Sequence, residues 1–299
     1  MNNDLPESIL GKRLEEEAAQ LTPAPSGLWE RVQAKRSKKT FPKRVFALAL
    51  AASAAVICFL IFRPRPLASI WQLEGRALRV GEEIKTARSA RTLTSTLGTV
   101  TLEPGSQLRV TRSRPERQQL ALDQGAITVK VTAPPRLFAV ETPRALAVDL
   151  GCAYKLSVAG QSSALDVSVG WVELEDKQGA SVLVPAGGHL RVSSNGKLSL
   201  PWYGESGERP KALEAYESGG PLEPLLAALH EPVDTLTLFH LLPRVSGAER
   251  EATLEKMLTF TTLPGSVTRE QVLALDKKAL ATWREELKLL WGGAAQLGI

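Results

Sequence analysis

The sequence predicts a mainly β protein, either sandwich-like or β-solenoid, with a C-terminal α-helical module and one transmembrane helix. Three observations support this fold class. Residues 45–62 carry no charged side chain. Residues 69–200 alternate apolar and polar side chains, with turn residues roughly every eight to twelve positions. Residues 209–292 return to a helical period, and a short tail, residues 1–43, precedes the uncharged stretch.

The uncharged stretch runs from Val45 to Phe62. As a helix it would be roughly 27 Å long, close to the hydrocarbon thickness of a bilayer, which is about 30 Å. A buried core helix usually has a polar face, and this stretch has none. A cleaved signal peptide has only a short basic region before its apolar segment, whereas here the preceding segment is long and rich in charge. We therefore expect a retained transmembrane helix over residues 45–62.

The flanking charges predict the orientation of this helix. Only Arg63 and Arg65 follow it closely, whereas seven basic residues precede it: Arg31, Lys35, Arg36, Lys38, Lys39, Lys43 and Arg44. Lysine and arginine resist translocation, so we expect a cytoplasmic N-terminus and extracytoplasmic C-terminal domains. We interpret the basic cluster as a topology signal that touches anionic head groups, and not as a nucleic-acid site.

The predicted cytoplasmic tail, residues 1–43, contains two short amphipathic helical patterns. Leu10 and Leu14 belong to the apolar stripe of the first pattern, and Trp29 and Val32 belong to the second. Two such short helices cannot fully bury their stripes against each other. The tail could therefore stay loose, lie on the membrane surface or dock on a partner. Because tryptophan is costly to leave in water, Leu10, Leu14, Trp29 and Val32 are the candidate partner-binding residues.

The β region, residues 69–200, is a series of short alternating runs with no helical period. Two of the runs flank Asp123-Gln124-Gly125, which predicts a β-hairpin at that point. A sandwich, a barrel and a β-solenoid all fit this pattern. Cys58 lies in the predicted membrane span and Cys152 in the outer region, so the two cannot pair. We therefore expect an outer β unit without a disulfide, stabilised by its own core.

The sequence predicts no catalytic, metal or cofactor site. The three histidines are scattered, and neither a metal-ligand spacing nor a catalytic motif appears. Arg112, Arg114 and Arg117 lie close together in the sequence and could suggest an anionic ligand. We interpret this cluster as a solvated edge that discourages strand pairing.

The C-terminal region, residues 209–292, contains several short apolar helices separated by prolines. Ser246 with Glu249, and Thr268 with Gln271, have the spacing of capping boxes. The last helix carries an apolar stripe formed by Leu280, Trp283, Leu287, Leu290 and Trp291. The region is either a module for protein contact or a domain packed on the β unit.

Five segments of the β region also resemble a known family. In order, they read "LGTVTLEPGSQLRV", "LALDQGAITVKV", "FAVETPRALAVDLGCAYKLSV", "DVSVGWVELED" and "VLVPAGGHLRV". Together they resemble the FecR-like extracytoplasmic domain over about residues 75–195. The resemblance implies a β-helical domain held by one membrane helix with its N-terminus inside the cell. It also implies a regulator placed between an envelope signal and a cytoplasmic sigma factor of the extracytoplasmic-function type.

Two functional hypotheses follow from the sequence. In the first, the chain is a FecR-like regulator in the bacterial inner membrane that contacts a sigma factor through residues 1–43 and an envelope protein or ligand through its outer domains. In the second, it is an envelope scaffold or interaction module without a signalling role. The tail distinguishes the two, because only a regulator needs Leu10, Leu14, Trp29 and Val32 to contact a partner.

Overall fold

The computed structural model describes residues 68–293, and the fold below is that of this range. The predicted tail, residues 1–43, and the predicted transmembrane helix, residues 45–62, lie outside it. Among the helices of residues 68–293, none is long and apolar enough to cross a membrane.

The β region is built from strands whose buried and exposed side chains alternate. In β10, for example, the side chains of Cys152, Tyr154, Leu156 and Val158 are buried and those between them are less so. The strands are β1 (Ala68–Leu73), β2 (Arg76–Arg79), β3 (Glu83–Lys85), β4 (Arg91–Ser95), β5 (Gly98–Leu102), β6 (Gln107–Arg114), β7 (Arg117–Val131), β8 (Phe138–Glu141), β9 (Ala145–Asp149), β10 (Cys152–Ala159), β11 (Ser162–Val169), β12 (Trp171–Asp176), β13 (Ser181–Pro185), β14 (Gly188–Val192) and β15 (Trp202–Tyr203).

The strands form two layers that share β7. One layer has the order β2-β1-β4-β5-β7-β10-β11-β14-β15, and the other has the order β3-β6-β7-β8-β9-β12-β13. Within residues 68–293 the strand pairs are antiparallel except for β7 with β8, which is parallel with Gln118 opposite Phe138. One hydrophobic cluster contains side chains from both layers, including Trp71 of the first and Phe138 of the second, whose rings are 5.4 Å apart.

This arrangement confirms a mainly β fold and favours the sandwich-like alternative. Two layers around one core are the arrangement of a β-sandwich. A β-solenoid would stack parallel strands, and the described strands pair almost entirely in the antiparallel sense, so the solenoid prediction is wrong for this region. The reason is that several consecutive strands, such as β4 with β5 and β10 with β11, are joined by short turns, and strands joined in this way pair as antiparallel neighbours.

The hairpin predicted at Asp123-Gln124-Gly125 is also wrong. The chain continues through these residues as one strand, β7, whose first half pairs with β6 and whose second half pairs with β5 and β10. Gly125 has φ +86°, and a Cβ there would lie 2.5 Å from the Cα of Ser106. The glycine therefore allows β7 to bend from one layer into the other at a point where the chains approach closely.

The C-terminal region is helical, as predicted. Its helices are α1 (Glu208–Glu217), α2 (Leu222–Ala228), α3 (Thr235–Leu241), α4 (Gly247–Leu258), α5 (Arg269–Leu273) and α6 (Lys277–Gly293), with short 3-10 turns at Pro232–Asp234 and Leu242–Arg244. The stripe of α6 points into the helical core. Trp283, Leu287 and Trp291 are buried there, and Leu280 and Leu290 pack partly against the same cluster.

One of the two predicted capping boxes is confirmed. At the start of α5, Gln271 N–H donates to the Thr268 hydroxyl and Thr268 N–H donates to the Gln271 side chain, at 3.3 and 2.8 Å. At the start of α4, Ser246 occupies the N-cap position, but its side chain makes no capping hydrogen bond. The Ser246 box is therefore wrong in its bonding, although the helix begins where it was expected.

The helices pack on the end of the β region. Glu217 of α1 accepts hydrogen bonds from Leu200 N–H and from Arg244, at 2.9 and 3.0 Å, and pairs with Lys197 at 2.9 Å. The Thr237 hydroxyl of α3 donates to the carbonyl of Pro201 at 2.7 Å. Of the two alternatives for the helical region, the described contacts correspond to a domain packed on the β unit. The boundaries 69–200 and 209–292 as separately folding domains remain a prediction.

Candidate partner-binding groove

Exposed apolar side chains mark a candidate interaction surface. In the described range the large hydrophobic side chains with high exposure are Ile70 at 36%, Val169 at 60% and Leu289 at 80%. Val169 and Leu289 line the same groove, which has a volume of about 720 Å³. Scattered apolar residues are normal on a protein surface, and two that share a concave site make that site a candidate for contact with another molecule. We call this site the Val169–Leu289 groove.

The floor of the Val169–Leu289 groove is a corner where three turns meet. Ala186 N–H donates to the carbonyl of Gly170 at 2.9 Å, and Leu150 N–H donates to the carbonyl of Trp171 at 3.2 Å. Gly170 has φ +73°, and a Cβ on it would lie 3.1 Å from the carbonyl carbon of Gly151 and closer still to its oxygen. Only glycine fits this close approach without a shift of the neighbouring turn.

The other wall of the groove is the C-terminal half of α6. Tyr203 Oη donates to the carbonyl of Trp291 at 2.9 Å, and Trp291 Nε1 donates to the hydroxyl of Thr235 at 3.0 Å. A Cβ on Gly292 would lie 3.4 Å from the ring of Trp171. These contacts hold the end of α6 close to the β corner, so that Leu289 and Val169 line the same groove.

The lining of the groove carries little charge. Lys288 is its only charged lining residue among those described, and Lys288 Nζ pairs with Glu285 of the same helix at 2.9 Å. The remaining lining is formed by apolar side chains, glycine and serine. Such a surface suits an apolar contact with a protein segment.

A buried polar cluster lies directly under the floor. The Cys152 thiol and Gly151 N–H both donate to the carboxyl group of Asp149, which is fully buried. Burial raises the pKa of Asp149, although these donors oppose the shift. Burial, together with the nearby Asp149, also raises the pKa of the Cys152 thiol. The thiol is therefore protonated at neutral pH, and its hydrogen bond secures the turn between β9 and β10.

A second groove of about 500 Å³ lies between the outer face of the β10-β11-β14 strands and α1. Small residues such as Ser157, Ser162 and Ala164 form part of its lining. The guanidinium group of Arg191 lies 5.2 Å from the ring centroid of Trp202. The lining of this groove carries hydroxyl groups and charges of both signs, whereas Lys288 is the single charged residue that lines the Val169–Leu289 groove among the described residues.

The histidines occupy three unrelated environments. His189 Nδ1 lies 2.7 Å from Asp166 Oδ1, and His230 Nδ1 lies 2.9 Å from the carbonyl of Ala228. Burial and the charges of Arg244 and Arg284 lower the pKa of His240 to about 3. No group of histidine, cysteine, aspartate or glutamate within residues 68–293 is arranged to hold a metal ion.

The predicted partner-binding residues, Leu10, Leu14, Trp29 and Val32, lie outside the described residues, so their role remains a prediction. The sequence reasoning missed the Val169–Leu289 groove. A weak signal for it was present, because Leu289 falls outside the apolar stripe of α6 and should therefore be exposed. No local pattern, however, places Leu289 beside a strand end that is 120 residues earlier in the chain.

Comparison with known proteins relates the β layers to one family. Residues 82–173, from just before β3 into β12, match the family described as FecR protein. Two solved chains are similar, both from crystal structures of a "putative anti-sigma factor" from Parabacteroides distasonis ATCC 8503. One is 20% identical, with 46% of this chain and 65% of that chain covered and a TM-score of 0.37. The other is 19% identical, with 55% and 73% covered and a TM-score of 0.37.

The alignment with the first of these chains spans less than two thirds of its length. Curated proteins gave no match. The family match falls inside the segments from which the resemblance was predicted, about residues 75–195, and it covers the strands on both sides of the bend in β7. Residues 82–173 are therefore the part of the chain that is similar to the FecR family.

Proposed function

We propose that the chain is a membrane-anchored FecR-like regulator that transmits an envelope signal to a cytoplasmic sigma factor of the extracytoplasmic-function type. The observation that supports this most directly is the FecR match over residues 82–173. In this proposal residues 45–62 cross the bacterial inner membrane, residues 1–43 face the cytoplasm, and the β and α regions lie outside. The regulator needs no chemistry of its own, only two binding surfaces.

The outer binding surface in this proposal is the Val169–Leu289 groove. Its apolar lining, its concave shape and its exposed Leu289 favour a protein partner of the envelope over a charged small molecule. The groove is formed jointly by the β corner and α6. A partner seated there would therefore contact both regions at once.

The inner binding surface is the apolar stripe of residues 1–43, with Leu10, Leu14, Trp29 and Val32 as the contacts. A buried tryptophan often dominates a small interface and contributes about 2 kcal/mol or more. About 1.4 kcal/mol corresponds to a tenfold change in affinity. Trp29→Ala should therefore weaken sigma-factor binding at least roughly tenfold.

Co-purification of the full-length chain from its own cells tests the inner surface. We expect a sigma factor, identified by mass spectrometry, to co-purify with the wild type and to be lost from Trp29→Ala. Lys38→Ala is the matched control, because it removes a basic residue of the predicted membrane flank and leaves the apolar stripe intact. If the wild type and Trp29→Ala recover the same sigma factor in equal amounts, Trp29 is not the contact. If neither recovers one, the regulator proposal fails.

Photo-crosslinking in intact cells tests the outer surface. A photoreactive residue at position 289 should give an adduct with an envelope protein. The same residue at position 282 should not, because Thr282 is also exposed on α6 but lies two helical turns from the groove. An adduct at both positions or at neither contradicts the groove assignment. An adduct at 289 without any co-purifying sigma factor would favour an envelope scaffold.

Protease protection tests the anchor independently of both partners. Protease added to intact spheroplasts should remove the C-terminal region and leave a small fragment in the membrane. Release of the whole chain by carbonate, or protection of its C-terminal region, would contradict the proposed topology.

A further inference from the structure

The tip of the β6–β7 hairpin concentrates positive charge. Arg112, Arg114 and Arg117 are exposed there, and none of them forms an ion pair with another described residue. Arg114 and Arg117 are directly opposite each other across the hairpin. Like charges in that position destabilise a hairpin. Glu116 is the single acidic residue of the tip, so the tip has a net positive charge.

The arginines lie beyond the part of β6 that another strand covers. β6 pairs with β7 on one side, and on the other side its pairing with β3 covers only Gln107–Arg109. Next to the arginines, Ile70 N–H of β1 donates to the Ser113 hydroxyl at 3.2 Å. The interpretation of the cluster as a solvated edge therefore remains a prediction, and the same exposed charge can also serve an anionic partner.

The tip lies where the chain enters the fold. Ile70, which contacts Ser113, is itself an exposed apolar residue. Arg79 is directly opposite Ala68, the first residue of β1, and also forms no ion pair within the described range. Ile70 lies eight positions after Phe62, the end of the predicted span. An extended chain of that length reaches at most about 28 Å, so the tip stays close to the membrane surface if the span is inserted.

We propose that Arg79, Arg112, Arg114 and Arg117 bind the anionic phospholipid head groups of the membrane that holds residues 45–62. This inference rests on the proposed membrane anchor. The guanidinium group binds phosphate oxygens in a bidentate manner, and each basic residue near an anionic surface adds a favourable contribution. Exposed Ile70 lies beside the arginines, where an apolar side chain can enter the interfacial layer.

Hydrogen exchange of the full-length chain in lipid nanodiscs tests this proposal. Two disc types are compared, phosphatidylcholine alone and a mixture with phosphatidylglycerol. We expect the amides of residues 112–114, 116 and 117 to exchange more slowly in the mixed discs only, and the protection to disappear at high salt. Replacement of one arginine by glutamine should lower the ratio of lipid-bound to unbound tip about fivefold. The triple variant Arg112→Gln, Arg114→Gln and Arg117→Gln should therefore lower this ratio about a hundredfold.

Arg88→Gln is the matched control. Arg88 is also exposed and forms no ion pair within the described range, but it lies near the opposite end of β6, since the neighbouring Ala87 accepts from Gly105 N–H. It should leave the protection unchanged. Unchanged exchange of the core strands in the triple variant shows that the variant remains folded.

Three results would overturn the proposal. The first is equal exchange at the tip in both disc types while the chain still co-elutes with the discs, which leaves the anchor intact. The second is protection in phosphatidylcholine discs on addition of inorganic phosphate, which would assign the tip to a soluble anion. The third is failure of the chain to co-elute with discs of either type, which would overturn the anchor as well.

Discussion

Replacement of Gly170 by alanine is the sharpest test of the corner that forms the groove floor. Gly170 has φ +73°, and an alanine in this left-handed region is destabilised by roughly 1–2 kcal/mol. The new Cβ would also lie 3.1 Å from the carbonyl carbon of Gly151 and 3.2 Å from the Cα of Cys152. Because both neighbours are backbone, relief requires a shift of the β9–β10 turn, and overpacking of this kind is destabilising by roughly 1–3 kcal/mol.

The two contributions together predict a loss of about 3 kcal/mol in the free energy of unfolding for Gly170→Ala. For a folded region of this size, that loss corresponds to a decrease in Tm of roughly 6–12 °C. Urea unfolding of the full-length chain, followed by tryptophan fluorescence, measures the loss. Trp171 is adjacent to the substituted position, so its emission also reports on the groove floor.

Gly179→Ala is the matched control for the backbone contribution. Gly179 has φ +89°, but a Cβ on it would have no atom within 4 Å. Its substitution should therefore show the conformational contribution alone, roughly 1–2 kcal/mol. If the two variants lose the same stability, the close approach of the two turns is not a constraint and the reasoning fails.

Two further predictions concern the helical region. Because burial, with Arg244 and Arg284 nearby, lowers the pKa of His240 to about 3, the unfolded chain binds one more proton than the folded chain between about pH 6.5 and pH 3. The contribution of His240 to stability is thus complete above pH 6.5 and decreases by up to about 1.4 kcal/mol per pH unit as the pH falls. His240→Gln should therefore make the free energy of unfolding, measured with urea, depend less on pH over this range. An unchanged dependence on pH would contradict the assignment. Thr268→Ala should lower the free energy of unfolding by about 1 kcal/mol, because the Thr268 side chain caps α5. Ser246→Ala should have little effect, because the Ser246 side chain makes no capping hydrogen bond. Equal losses of stability in thermal unfolding would refute this distinction.

The helical stripe shows what a local pattern can predict. Leu280, Trp283, Leu287, Leu290 and Trp291 share one side of any helix built from this sequence, because the spacing of side chains around a helix is fixed by its geometry. Their common orientation toward the helical core followed from that spacing, whatever they packed against. The alternating strands were predictable for the same reason, since successive side chains point to opposite faces of a sheet.

The bend in β7 shows where local patterns fail. Asp123-Gln124-Gly125 has the composition of a turn, and Gly125 does adopt a positive φ. A glycine that permits a hairpin also permits a strand to bend from one layer into another. Which of these occurs depends on the partners of the strand on either side, β6 before Gly125 and β5 and β10 after it. Those partners are brought together only by the complete fold.

The sequence by itself determined the strand and helix classes, the FecR resemblance and the uncharged span at residues 45–62, because each depends on residues that are close together in the chain. The tertiary structure alone decided the two-layer architecture, the Val169–Leu289 groove and the position of the arginine tip beside Ile70. Each of these joins residues far apart in sequence, such as Ile70 with Ser113 and Gly170 with Gly151. Such contacts depend on strand register and layer packing, and a pattern of neighbouring residues does not encode them.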